Sequence, residues 1–242
     1  MTSLEELWLV RHGESIGNVA ATAAEVAGAE VIALDTRDAD VPLSETGVEQ
    51  ARALGAPLLG AERIPEIAWV SPYVRAQQTF ALSIENGPDI RRVLTDERLR
   101  DRELGILDLL TRRGVVARHP EEAARRANLG KYYHRPPGGE SWADVSLRLR
   151  SFLHDASAAD ARVGLVVAHD AVVMLLVALL TGMGEAALLR FAAANTVLNA
   201  SVTRLRADGE RWQLTDFSDV RHLERLGAEV TAHPGSPDVL PR

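Results

Sequence analysis

The sequence predicts an α/β fold, a three-layer sandwich with a mainly parallel central sheet. Three apolar runs rich in branched residues, at 7–10, 67–70 and 163–168, have the composition of buried parallel strands. Each run is followed by a turn and then by a stretch with a helical pattern. Alternating strands and helices favour a parallel sheet covered by helices, and ligands of such folds bind beyond the carboxyl ends of the strands.

Capping residues predict where three helices begin. Ser44 or Thr46 can cap the helix that follows the first loop, and Thr46 lies three residues before a glutamate, the spacing of a capping box. Ser71 and Pro72 are typical of an N-cap followed by the first helical residue. Ser141, after a pair of glycines, predicts the start of a third helix, whose apolar residues recur at helical spacing.

We expect one domain, spanning residues 1–232. The polar, arginine-rich stretch at about 101–137 predicts a small helical cap over the sheet, and the tail at 233–242, with three prolines, is expected to be flexible. The stretch 163–180 is nearly all apolar and approaches the length of a membrane span. Because His169 and Asp170 interrupt it, a buried strand followed by a buried helix is the better interpretation.

The composition excludes several classes of protein. A net charge of -7 argues against nucleic-acid binding, which needs a basic face. The absence of cysteine excludes disulfides, thiolate nucleophiles and thiolate-bound zinc. The acidic N-terminus lacks the charge pattern of a signal peptide, so a cytoplasmic protein without a membrane partner is the simplest interpretation.

Basic side chains follow all three predicted strands. Arg11 and His12 come directly after the first strand, Arg75 lies just after the second, and His169 follows the third. We expect these four side chains to lie close together at one edge of the sheet. Such a group suits a phosphoryl group, because its negative charge is spread over three oxygens and arginine's planar fork matches two of them.

His12 is the candidate nucleophile. A neutral imidazole is a good nucleophile near pH 7, and the phospho-imidazole can pass its phosphoryl group to water or to another acceptor. The leaving oxygen must also be protonated, which requires a carboxylic acid near the pocket, and Asp101 and Glu103 are the candidates. A metal phosphohydrolase is disfavoured because the sequence offers no second histidine cluster, so we expect neither a metal nor a cofactor.

Five short motifs occur in order along the chain. They are Arg11-His12-Gly13-Glu14-Ser15 with Asn18, Pro42-Leu43-Ser44-Glu45-Thr46-Gly47, Ser71-Pro72-Tyr73-Val74-Arg75-Ala76-Gln77-Gln78-Thr79, Gly139-Glu140-Ser141, and Val167-Ala168-His169. Together they resemble the motifs of the histidine phosphatase superfamily, in its phosphoglycerate mutase-like branch. The resemblance runs from residue 7 to about residue 222.

The resemblance implies a phosphoglycerate mutase-like fold and a role for each matched residue. His12 would be the phosphorylated nucleophile. The side chains that would hold the phosphoryl group are those of Arg11, Asn18, Arg75 and His169.

The resemblance also implies which acid donates the proton. In this family the donor lies four residues before a glycine, and counting back from Gly105 gives Asp101, where most mutase-like members have glutamate. Glu103 stays as the alternative donor. A second departure is Asp170, where a glycine usually follows the second histidine. Its carboxylate is expected to turn away from the pocket, toward a helix N-terminus.

The expected function is metal-independent hydrolysis of a small phosphorylated metabolite through a phosphohistidine on His12. The first alternative is a phosphoglycerate-type mutase, disfavoured because residues 106–111 match the mutase block poorly. The second is a non-catalytic regulatory protein that binds phosphate, which the departures at Asp101 and Asp170 motivate. The oligomeric state is open, with a homodimer as one option.

Overall fold

The structure, a computed structural model, describes residues 4–59, 63–85, 87–209 and 211–233. Its strands and helices follow one another as β1 (Glu6–Arg11), α1 (Ile16–Val26), α2 (Glu45–Ala53), α3 (Gly55–Leu59), β2 (Ile67–Val70), α4 (Val74–Ile84), β3 (Arg92–Thr95), α5 (Arg112–Arg118), α6 (Pro120–Tyr133), α7 (Trp142–Ala156), β4 (Val163–Ala168), α8 (Asp170–Thr181), α9 (Glu185–Ala194), β5 (Val202–Asp208), β6 (Arg211–Asp219) and α10 (Arg221–Leu226). Short 3₁₀ turns lie at Asp38–Asp40, Glu97–Leu99 and Gly105–Leu107.

Six strands form one sheet in the order β3-β2-β4-β1-β5-β6. The first four strands in that order are parallel, and β5 and β6 add an antiparallel edge. Val10 and Val70 both pair with Val167 of the central strand β4, so β1, β2 and β4 end level with one another. The residues that follow these three strands are therefore delivered to one edge, as predicted.

Helices cover both faces of the sheet and confirm the three-layer sandwich. On one face α7 and α8 bury Phe152 and Leu175 against the strands. On the other face α2, α4 and α10 bury Ala53, Phe80 and Leu223 against the strands. The burial of these apolar side chains on both faces is the main stabilising contribution to the sandwich.

The predicted helix starts are confirmed in part. Ser44 is the N-cap of α2 and its hydroxyl accepts from the Gly47 amide, whereas Thr46 lies inside the helix, so Thr46 as the cap is wrong. Ser141 caps α7 in a capping box with Asp144, as the sequence predicts. A short polar side chain placed before the first turn satisfies amides that have no partner inside the helix.

The prediction that Ser71 caps α4 is wrong. The helix begins at Val74, three residues later, and Tyr73 occupies the N-cap position without a side-chain cap. The Ser71 hydroxyl instead lies 2.8 Å from Nε2 of His169. That contact joins side chains 98 residues apart, and the same hydroxyl also accepts from the Tyr73 amide at 3.3 Å, before the helix begins.

The apolar stretch at 163–180 is the buried strand β4 followed by α8, which confirms the prediction for it. Across the described ranges, every helix is too short or too polar to cross a membrane. The predicted cap stretch contains α5 and α6, which share a small apolar cluster of their own with Leu107, Val115 and Ala123. Of the predicted tail, only His233 is described, and 234–242 lie outside the described residues.

Candidate active site

Because β1, β2 and β4 end level with one another, the four predicted basic residues lie close together. Arg11, His12, Arg75 and His169 are all at most 4% exposed. The two imidazole rings are 5.2 Å apart between centroids, and Nε of Arg75 lies 3.3 Å from Nε2 of His12. The cluster is a buried set of donors at the carboxyl edge of the sheet, where ligands of such folds bind.

Two glycines let the first and second motifs touch through their backbones. A Cβ at Gly47 would lie 1.9 Å from the Glu14 carbonyl oxygen, and one at Gly13 would lie 2.6 Å from the Gly47 carbonyl oxygen. Both contacts are impossible for any other residue without moving the backbone. The N-terminal end of α2 is thereby fixed directly beside His12.

The hydrogen bond of His12 determines which ring nitrogen is free. Nδ1 lies 2.7 Å from the carbonyl oxygen of Gly13, which can only accept, so Nδ1 carries the proton. Nε2 is therefore unprotonated, and its lone pair accepts a hydrogen bond from Nε of Arg75 at 3.3 Å. A neutral imidazole held in this tautomer presents a nucleophile to an electron-poor phosphorus atom.

Burial lowers the pKa of His12 well below its ordinary value, with a further lowering by Arg75, His169 and Arg11. The ring therefore stays neutral, and its nucleophilic form persists, as the pH falls through the usual histidine range. We predict that the His12 ring resonances in the NMR spectrum of the ligand-free protein do not titrate between about pH 7.5 and 6, whereas in the urea-unfolded chain they titrate near about 6.5. Titration of His12 near the unfolded value would contradict this account.

One buried donor of the cluster has no partner within the described residues. Nε of Arg11 is shielded from solvent and makes no hydrogen bond there, whereas Nδ1 of His169, also without a hydrogen bond, lies 3.3 Å from the Asp101 carboxylate. The rest of the Arg11 guanidinium is held by the carbonyl oxygens of Val197 and His233, at 2.5 and 2.6 Å. Because leaving a buried polar group unpaired costs free energy, the unpaired Nε of Arg11 indicates a site that can take an acceptor oxygen of an anion.

Arg75 is paired with two carboxylates. Its guanidinium contacts Asp38 at 3.0 Å and Asp101 at 3.2 Å, and it also donates to the carbonyl oxygen of Asp38 at 2.6 Å. Asp38 was not anticipated from the sequence, since it lies 37 residues from Arg75 in a loop without a motif. Partial burial raises the pKa of Asp38, and the neighbouring Asp101 raises it further against the lowering effect of Arg75.

The Asp38 carboxylate occupies donors of Arg75 that a phosphoryl group also needs. We predict that Asp38→Asn binds inorganic phosphate about two- to fivefold more tightly, a modest gain because Asp38 is partly exposed and its charge is screened. The inhibition constant of phosphate against a phosphomonoester measures this. A weaker affinity in the variant would mean that Asp38 orients Arg75 for the ligand instead of competing with it.

The two candidate acids lie in different places. The Asp101 carboxylate is 3.3 Å from Nδ1 of His169 and 3.2 Å from Arg75, so it borders the cluster. Glu103 accepts instead from the Tyr73 hydroxyl at 3.1 Å. Arg148 donates to the Asp101 carbonyl oxygen at 3.1 Å and fixes the loop that carries both acids.

Asn18 is held in place by its amide oxygen. That oxygen accepts from the backbone of Ser15 at 3.2 Å, as part of the cap of α1, and from the side chain of Asn199 at 3.3 Å. The amide hydrogens of Asn18 are therefore the part of this side chain that can serve a ligand. Asp170 begins α8, where the helix dipole favours a carboxylate.

Metal ligands are not grouped in the described part of the chain, where no three His, Asp or Glu side chains lie together as a metal site would require. The guanidinium groups of Arg11 and Arg75 supply positive charge at the site. Arginine forks of this kind can stabilise a phosphoryl group as it transfers.

Comparison with known proteins identifies the family. The model of the histidine phosphatase superfamily (branch 1) matches residues 7–220. The chain belongs to this superfamily. The matched range contains all of the predicted site residues, and it confirms the resemblance that the motifs indicated.

Members of the superfamily with different activities are similar to this chain. A 2,3-bisphosphoglycerate-dependent phosphoglycerate mutase of Gloeobacter violaceus is 33% identical over 172 residues, 67% of this chain and 69% of that protein. The metal-independent phosphoserine phosphatase of Arabidopsis thaliana is 27% identical over 93% of this chain and 86% of its own. The chain spans between 32% and 69% of the length of the first three curated relatives it matches.

A solved structure extends the similarity to the fold. The mycobacterial glucosyl-3-phosphoglycerate phosphatase superposes with a TM-score of 0.71 at 28% identity, covering 89% of this chain and 100% of that one. The relatives of this histidine phosphatase superfamily member thus include both phosphatases and mutases.

Proposed function

We propose that the protein is a metal-independent phosphomonoesterase for a small phosphorylated metabolite and that it acts through a phosphohistidine on His12. The observation that carries this proposal is the unprotonated Nε2 of His12, which accepts from Arg75 and lies among buried guanidinium donors that include Nε of Arg11, a donor without a partner within the described residues. A phosphoryl group supplies the acceptor oxygens for those donors and the electrophile for that nitrogen.

The reaction has two steps. Nε2 of His12 attacks phosphorus, the bond from phosphorus to the ester oxygen breaks, and that oxygen takes a proton from Asp101 and leaves as the alcohol. Water then attacks phospho-His12, Asp101 takes a proton from the water, and inorganic phosphate leaves with the imidazole restored. Arg11, Arg75, Asn18 and His169 hold the phosphoryl oxygens in both steps.

Asp101 is our choice for the proton donor over Glu103. A general acid must be within reach of the oxygen that it protonates, and Asp101 borders both Arg75 and His169 while Glu103 is engaged by Tyr73. Carboxylates also line one side of the cluster, where Asp38 and Asp101 contact Arg75 and Glu103 accepts from the Tyr73 hydroxyl. Their negative charge disfavours the second anionic group of a phosphoglycerate on this side, which supports hydrolysis over mutase chemistry.

The test is phosphate release from p-nitrophenyl phosphate in the presence of EDTA, followed by a panel of phosphorylated metabolites. Release that survives chelation supports the proposal, and release that requires an added divalent cation contradicts metal independence. Transfer between the 2- and 3-positions of phosphoglycerate without release would identify a mutase. Phosphate binding without either activity would identify a non-catalytic binding protein.

A further inference from the structure

The segment that follows α10 runs back to the phosphate pocket and contacts the motif that contains His12. We refer to residues 229–233 as the C-terminal strap. Thr231 exchanges two hydrogen bonds of 3.2 Å with Asn199, and the Gln50 side chain donates to the strap at 2.8 and 2.9 Å. The same Gln50 side chain accepts from the amide of Glu14 at 2.8 Å. The strap is thus tied to the motif that contains the nucleophile.

His233 ends the described part of the strap and makes three contacts to that motif and the helix after it. Its Nε2 donates to the Glu14 carboxylate at 2.7 Å, and its Nδ1 lies 2.6 Å from the Thr22 hydroxyl of α1. Its carbonyl oxygen accepts from Arg11 at 2.6 Å. The Glu14 carboxylate in turn accepts from Ser44, the N-cap of α2, at 2.7 Å. His233 therefore joins α1, α2 and Arg11 at one point.

Arg11 depends on this junction. Its side chain is 2% exposed, and its guanidinium is oriented by two carbonyl oxygens, one of which belongs to His233. Nε of the same guanidinium is buried and makes no hydrogen bond within the described residues, so it is the donor left for a ligand. Without the His233 carbonyl oxygen, the long and flexible Arg11 side chain would be held by one carbonyl oxygen only. Phosphate binding would then be weaker, because ordering this side chain costs free energy.

We propose that His233 is a positioning residue of the phosphate pocket: through Glu14, Thr22 and its own carbonyl oxygen, it holds the Arg11 guanidinium in the orientation that binds the phosphoryl group. The proposal rests on the proposed function only in taking Arg11 as a phosphate ligand. It assigns a role in the site to a residue that the sequence places more than 200 positions from the first motif, within the predicted tail.

The test measures binding of inorganic phosphate by isothermal titration calorimetry, well below the melting temperature of every variant. His233→Ala removes the ring contacts and should weaken phosphate binding by about tenfold or more, the loss typical of hydrogen bonds that orient a charged group. His233→Gln keeps an amide donor for Glu14 and should return the dissociation constant to within about threefold of the wild type. A chain that ends at Val230 lacks His233 altogether and should bind phosphate at least as weakly as His233→Ala.

Two controls separate positioning from general stability. His154→Ala removes an exposed histidine of α7, and a chain that ends at Gly235 keeps the strap, so both should bind phosphate as the wild type does. A purely structural role would lower the melting temperature of His233→Ala and leave the dissociation constant unchanged, which would overturn the proposal. Weak binding in the chain that ends at Val230 together with normal binding in His233→Ala would also overturn it. Calorimetry needs no turnover, so the absence of hydrolysis in the wild type would refute the proposed function and leave this test intact.

Discussion

His12→Ala is expected to lower kcat/KM for phosphomonoester hydrolysis by at least about 10⁴-fold, the scale seen when a nucleophile that acts within a catalytic unit is removed. The reason is the position of Nε2, which is the unprotonated ring nitrogen and accepts from Nε of Arg75. The remaining cations can still bind phosphate, so the dissociation constant for phosphate should change far less than the rate.

Trapping the intermediate gives a second measurement on the same variant. Wild-type enzyme mixed with substrate and quenched rapidly at alkaline pH should yield one phosphorylated peptide, which contains His12 and is missing in His12→Ala. The matched control is His154→Ala, since His154 is exposed on α7 and remote in sequence from every motif. A His12→Ala enzyme that keeps a hundredth of the wild-type rate, or a phosphorylated peptide from another histidine, would refute the mechanism.

The sequence was sufficient for the parts of the fold that depend on local pattern. The runs at 67–70 and 163–168 are strands β2 and β4 with the predicted bounds, because branched apolar residues without interruption suit a strand buried on both faces. The meeting of His12 and His169 also followed, since the ends of parallel strands in one sheet lie at one edge. The strand patterns in the sequence and the topology of a parallel sheet together predict that His12 and His169 meet at the centre of the site.

The features of the site that could not be predicted from the sequence depend on contacts between residues far apart in the chain. The sequence predicts the Ser71 hydroxyl as the N-cap of α4, whereas in the fold it contacts His169 and accepts from the Tyr73 amide, and α4 begins later. Asp38 and His233 carry no motif, and their contacts with Arg75 and Arg11 span 37 and 222 residues. No periodic pattern in the sequence predicts the partner of a charged residue in a loop, so these contacts are visible only in the structure.

Asp101→Asn is the substitution that decides the identity of the acid. An asparagine keeps the size of the side chain and its hydrogen-bonding capacity near Arg75, but it has no proton to give to the leaving oxygen. For an alkyl phosphate, whose alkoxide is a poor leaving group, we expect kcat to fall by about 10²- to 10⁴-fold. For p-nitrophenyl phosphate, whose phenolate leaves without protonation, we expect a much smaller fall in the rate of His12 phosphorylation.

The comparison between leaving groups is what makes this prediction specific, because a general distortion of the pocket would slow both esters alike. Glu103→Gln is the matched control. It removes a carboxylate from the same loop, three residues after Arg100, and leaves the contacts of Asp101 with Arg75 and His169 in place. We expect it to hydrolyse both esters at close to the wild-type rate. If Glu103→Gln shows the dependence on the leaving group and Asp101→Asn does not, the roles are reversed, and Tyr73, which donates to Glu103, would then belong to the proton-transfer machinery.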